Sequence, residues 1–176
     1  DPQSLPETPT DALKATASLQ LIDIDAQSPE RGQRKLIQWH WRRDAGVYWL
    51  KDTLAVSPAF GYALRSKTRY AVIVKTAARS EGGGPIKASA DLQEVLGLAA
   101  ASARSASAKA FFADAVSEIV TAGVAKDQIA HMTRLISRME EVIEADLEQI
   151  GCTGVTRDVA AEFAVGMVGA HDHREC

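Results

Sequence analysis

Residues 63–86 read ALRSKTRYAVIVKTAARSEGGGPI. The fold turns on whether Gly82, Gly83 and Gly84 cradle a phosphate or reverse the chain after a strand. Upstream of them, Tyr70, Val72 and Val74 alternate along RYAVIVKT, the two-residue period of a strand. A phosphate loop needs a helix behind its glycines, with the first amides facing the anion. Here Pro85, Ile86 and Lys87 follow, which read as extended, and neither Gly-Lys-Ser/Thr nor G-x-G-x-x-G occurs. The triplet reads as a turn. The chain therefore reads as a β-module rather than a nucleotide enzyme.

The same alternation appears earlier. In SLQLIDID, Leu19 and Leu21 share one face and Ile22 and Ile24 the other, so both faces of that strand should be covered. In KLIQWHWRRD, Ile37, Trp39 and Trp41 fall together, with His40 directed outward. DTLAVSPA pairs Leu54 with Val56 and ends at Pro58. AQSPERGQ is a turn-rich connection, and Pro2, Pro6 and Pro9 make the start a loop or extended arm. Short strands broken by turns every few residues indicate a small antiparallel sandwich.

After residue 90 the texture changes. All three Trp and all three Tyr precede it, and the remainder is rich in Ala and Glu. Ser89 and Gly97 suit the two ends of a short helix. Phe112, Ala115, Val116, Ile119 and Val120 form a helical stripe that stops at Gly123. Ile129, Met132, Ile136, Met139, Ile143 and Ile150 recur at three and four, which predicts a long helix over 127–150 with an acidic C-terminal part. A last amphipathic piece spans 156–168. The fold class expected is α+β: an N-terminal antiparallel β-sandwich, residues 1–90, followed by a helical C-terminal segment, residues 91–176.

The chain has 176 residues and a net charge of −3. That length buries enough surface to fold without a metal or a disulfide staple. The charge offers no basic field for nucleic acid. No apolar run approaches the roughly 20 residues of a membrane span, and no stretch has the charged-then-apolar pattern of a signal sequence.

The strand series carries a resemblance. Leu54, Val56, Pro58, Leu64, Thr68, Tyr70, Val72 and Val74 make a pattern that resembles the C-terminal half of bacterial immunoglobulin-like domains of the S-layer-protein (SbsA-like) type. The turn aspartate usual in that pattern is absent; Ser80 and Glu81 stand near its place. DPQSLPETPTDALKATASLQLIDIDAQSPERGQ resembles the N-terminal region of large secreted bacterial proteins, some with a lipase- or esterase-like α/β-hydrolase domain further along. The resemblance covers residues 1–96 and, weakly, continues to Ala130. It implies an Ig-like sandwich lacking its first strand, an extracellular or cell-envelope location, and a neighbouring domain of a longer parent as partner.

Candidate chemistry is sparse. The nucleophile elbow G-x-S-x-G does not occur. Asp52, His131 and a serine make a triad only on paper. His171 and His173, beside Cys176, are candidate metal ligands in a tail. Cys152 and Cys176 could pair in an oxidising compartment. Tyr48 and Trp49, beside the turn at Gly46, are the candidate ligand-binding residues, and Phe60 and Tyr62 could extend such an aromatic platform. Arg31, Arg34, Lys35, Arg42 and Arg43 read as solvated charges. The 127–150 helix is a candidate surface for a protein partner. No cofactor is expected. Three functions stay open: a non-catalytic accessory module, a module binding a ligand or partner through its aromatics or that helix, and a hydrolase fragment whose catalytic residues lie outside this chain.

Overall fold

A computed structural model of the chain describes residues 1–137. Strands β1 (Leu19–Asp23), β2 (Ile37–Arg42), β3 (Thr53–Pro58) and β4 (Arg69–Lys75) come first. Helices α1 (Ala90–Leu96) and α2 (Ala106–Thr121) follow, and then strand β5 (Ile129–Ile136). All pairing between these strands is antiparallel. One sheet has the order β1-β4-β5 and the other is the hairpin β2-β3. The class is α+β, as the sequence predicts.

Strand β4 is the centre of the molecule, and its alternation explains why. Tyr70, Val72 and Val74 enter a core with Leu19 and Leu21 of β1, Ile37 of β2 and Val56 of β3. Ala71 and Ile73 enter a second core with Ile22, Ile24, Leu96, Val116 and Ile119. The three-stranded sheet therefore lies between the hairpin on one side and the two helices on the other. A strand covered on both faces reads as a near-continuous apolar run, and YAVIV is one.

The helices form where local signals place them. The Ser89 hydroxyl accepts from the Leu92 amide, 3.2 Å away, and Gly97 closes α1 in the left-handed region at φ 75°. Ala115, Val116 and Ile119 of the predicted α2 stripe are buried, whereas Val120 is 41% exposed. The glycine triplet is a turn. Gly83 donates to the Ser80 carbonyl, Ser80 donates to the Gly84 carbonyl, and Arg79 bridges Pro85. The arm before β1 is not free. It forms 3-10 turns at Pro2–Ser4 and Asp11–Leu13, buries Ala12 and takes a 2.6 Å hydrogen bond from the Trp39 indole at the Pro6 carbonyl.

The helix expected over 127–150 is not formed where the chain is described. Lys126–Gln128 make a 3-10 turn and Ile129–Ile136 form β5, paired with β4. A register shift at Val74/Lys75 explains the misleading spacing. An inserted residue in one strand changes the phase of alternation, so Ile129 and Met132, three apart, reach the same helix-side core. Leu135 packs against the other core, and Ile136, a member of the predicted stripe, is half exposed. Residues 138–150, the piece at 156–168, Cys152, His171, His173 and Cys176 lie outside the described residues.

Candidate functional site

The β2-β3 hairpin places Tyr48 and Trp49 at its tip. Arg42 of β2 pairs with Thr53 of β3, and the connection narrows from there. Asp52 donates its amide to the Arg43 carbonyl, 3.3 Å away, and Gly46 donates to the Trp49 carbonyl, 3.0 Å away. The Thr53 hydroxyl donates to the Leu50 carbonyl at 2.6 Å. Asp52 sits at φ 59°, a left-handed conformation that aspartate tolerates better than most residues.

This closure leaves an apolar run at the surface. Val47 is 90% exposed, Tyr48 89% and Leu50 62%. Trp49 is half-buried, and the Arg42 guanidinium lies 5.0 Å from its ring centroid, within cation–π range. Arg43 reaches away to Glu81 at 2.6 Å, tying the hairpin base to the glycine turn. The tip is convex and apolar, with cations at its base.

The other aromatics of this part of the chain are not brought to the tip. Ile37 is buried and Trp39 and Trp41 are half-buried, with Trp39 packed on the core between the sheets. Phe60 and Tyr62 are exposed, but they follow β3 at the end remote from the tip. Six strand residues, about 20 Å, separate the two groups. His40 is exposed, as its alternation predicts. Val47 and Leu50 do not stand out as candidates when aromatics alone are sought; the uninterrupted run VYWL between charged flanks is the signal that finds them.

Several other charged groups hold loops together. Arg31 makes a bidentate pair with Glu118 of α2, both contacts 2.6 Å. Arg34 donates to the Gln20 side chain and to the Ala122 carbonyl. Lys35 and Arg65 share Glu30, and both hold its carboxyl below the usual range, Lys35 with the larger effect. The basic residues expected to be solvated are thus largely paired. Glu94 accepts from the hydroxyls of Ser102 and Ser105 and from the Ser102 amide. These bonds, the Ser105 hydroxyl first, lower its carboxyl to about 2. His131 has its Nε2 3.3 Å from the Thr133 hydroxyl, and burial pushes its imidazole down. His131 is thus engaged on β5 while Asp52 closes the β2-β3 hairpin, and the triad of Asp52, His131 and a serine is not assembled.

Two shallow depressions flank the loop after β1. One, of about 300 Å³, is lined by Asp25, Ser28, Arg65 and Ser66 among others. The second, of about 150 Å³, lies between α2 and the sheet near Arg69, Glu118 and Arg134. Among the described residues no cluster of three or more His, Cys, Asp or Glu is placed to hold a metal. No described helix is long and apolar enough to cross a membrane. Comparison with family models, curated proteins and solved structures finds no match.

Proposed function

We propose that the chain is a non-catalytic accessory module, Ig-like in its β portion, of a secreted or cell-envelope bacterial protein. It holds a neighbouring domain, such as an α/β-hydrolase, at a fixed position. The observation that carries this reading is the burial of β4 on both faces. Side chains from the hairpin, from β1 and from the helices converge on that one strand. Loops at the surface are stapled across long sequence separations, as Arg31 is to Glu118. A unit so cross-braced transmits position rather than flexing. Three of its shifted carboxylates are engaged in this bracing: Glu30, Glu94 and Glu118 each owe their lowered pKa first to a hydrogen bond from a bracing side chain.

Two measurements on the purified chain test the proposal. Amides of β4 should exchange with solvent only through global unfolding, and the chain should not turn over a generic p-nitrophenyl ester above background. Fast exchange of β4 would remove the stiffness the reading needs. Ester turnover abolished by one Ser→Ala change would replace it with the hydrolase reading.

A second reading is favoured by the exposure of Tyr48 beside the Arg42–Trp49 stack. These rings can stack on the apolar face of a sugar. Quenching of Trp emission across a glycan panel, lost in Trp49→Ala, would support it; no response across the panel removes it.

A further inference from the structure

We propose that the β2-β3 hairpin tip, Val47 to Leu50, inserts into the interfacial layer of a lipid bilayer and makes the module a peripheral membrane binder. The shape of the tip argues first against a small-molecule pocket. Such sites are concave, with polar groups converging on the ligand. This tip is a turn closed by the Gly46–Trp49 backbone bond, with Val47 and Tyr48 almost wholly in solvent, and neither of the two depressions at the loop after β1 is lined by its residues. Val47 and Leu50 are aliphatic and exposed to 90% and 62%. A sugar platform has no use for them, because stacking on sugar needs flat rings. A bilayer does, because every CH2 moved out of water contributes.

The order of residues matches the interface. Tyr and Trp favour the headgroup layer, where an apolar ring and a polar edge are both accommodated. Arg and Lys flank such segments and keep their charge at the lipid surface while their stems lie along apolar groups. Here Arg42 and Arg43 precede the tip and Lys51 follows it. The chain as a whole carries −3, whereas around the tip the cations Arg42, Arg43 and Lys51 are balanced by Asp44, Asp52 and the Glu81 that pairs with Arg43. The surroundings of the tip are therefore neutral within a negatively charged chain, and Arg42 and Lys51, flanking the apolar run, are the cations placed to meet an anionic leaflet. Arg42, stacked over Trp49, couples the charge to the ring. Four residues reach only the boundary of the acyl layer, so the binding is shallow and reversible, like that of other interfacial anchors.

Vesicle co-sedimentation of the intact chain tests this. The probes are phosphatidylcholine vesicles and the same vesicles doped with phosphatidylserine. Wild type should partition onto both, more onto the anionic ones, with a blue shift of Trp emission that Trp49→Phe diminishes. Replacing Val47 and Leu50 together by Ser should lower partitioning by about tenfold or more, with the unfolding transition unchanged because both side chains are exposed. Arg42→Gln with Lys51→Gln should remove the preference for anionic vesicles. Replacing Phe60 and Tyr62 by Ser, at the far end of the same hairpin, should change nothing. The proposal is overturned if wild type stays in the supernatant, or if the Phe60/Tyr62 pair matters as much as Val47/Leu50. It is also overturned if the tip variants only dissolve a dimer seen by sedimentation, which would make a second copy of the chain the occupant.

Discussion

Glu94 shows how one side chain can organise a connection. It stands on α1, and its carboxylate gathers Ser102 and Ser105 from the segment that leads into α2. An ordinary glutamate titrates at 4.5, and this one is held at about 2 in the folded chain. Folding is then favoured most strongly above pH 4.5, where the unfolded chain is also ionised. That contribution fades as pH falls toward about 2, where protonation overtakes the folded state as well. A Glu94→Gln variant should therefore melt below wild type at neutral pH, and the two melting curves should converge near pH 2. Thermal unfolding followed by circular dichroism across that range checks it. A constant difference at every pH would mean that packing, and not the charge, is what the variant lost. Tyr48 is the opposite case. Its side chain stands almost wholly in solvent at the hairpin tip and buries little against the rest of the molecule.

Each secondary-structure element uses its two sides differently. Helix α2 directs Ala115, Val116 and Ile119 into the sheet, while Phe111 stays on the outer side under the Arg134 guanidinium, 3.9 Å from its ring centroid. Ile119 is fully buried. Truncation to Ala should cost about 2–5 kcal/mol, because a cavity is left in a packed core. Phe111→Ala, at the exposed position, should cost clearly less, about 1 kcal/mol. Urea unfolding of the two variants measures both. Equal costs would show that the helix does not dock on the sheet through this face. Strand β5 carries the complementary lesson: its irregular register lets residues three apart serve one core, so a helical spacing is satisfied by a strand.

The molecule as a whole is built around a strand from its first half and covered by elements from its second. The change of composition near residue 90 is real, but the core crosses it. Ile22, Ile24, Ala71 and Ile73 lie against Leu96, Val116, Ile119 and Met132. A chain ending at residue 90 would expose that face of the sheet and leave one edge of β4 without its partner β5. Such a fragment should give no cooperative unfolding transition and should aggregate, whereas residues 1–137 should melt in one step. Calorimetry on the two lengths checks this. A cooperative transition in the short chain would support an independent domain at 1–90.

Strands β1 to β4, the two ends of α1 and the turn at Gly82–Gly84 were all legible in the residues. The signals that specify them, alternation of apolar side chains, a capping serine, a glycine in the left-handed region, act over a handful of positions. The apolar run at the tip was legible too, although the aromatic signal singles out only Tyr48 and Trp49 of it. What the linear order does not hold is which distant partner completes an ambiguous segment. Ile129–Ile136 fits a helix by spacing and a strand by its β-branched content, and the free edge of β4 decides between them by offering a ladder of hydrogen bonds. In the same way Arg31 becomes a brace only because folding brings Glu118, 87 residues away, within 2.6 Å. The aromatics of one short stretch are parted because β3 runs straight between them. Local chemistry chooses the pieces, and long-range packing chooses their partners.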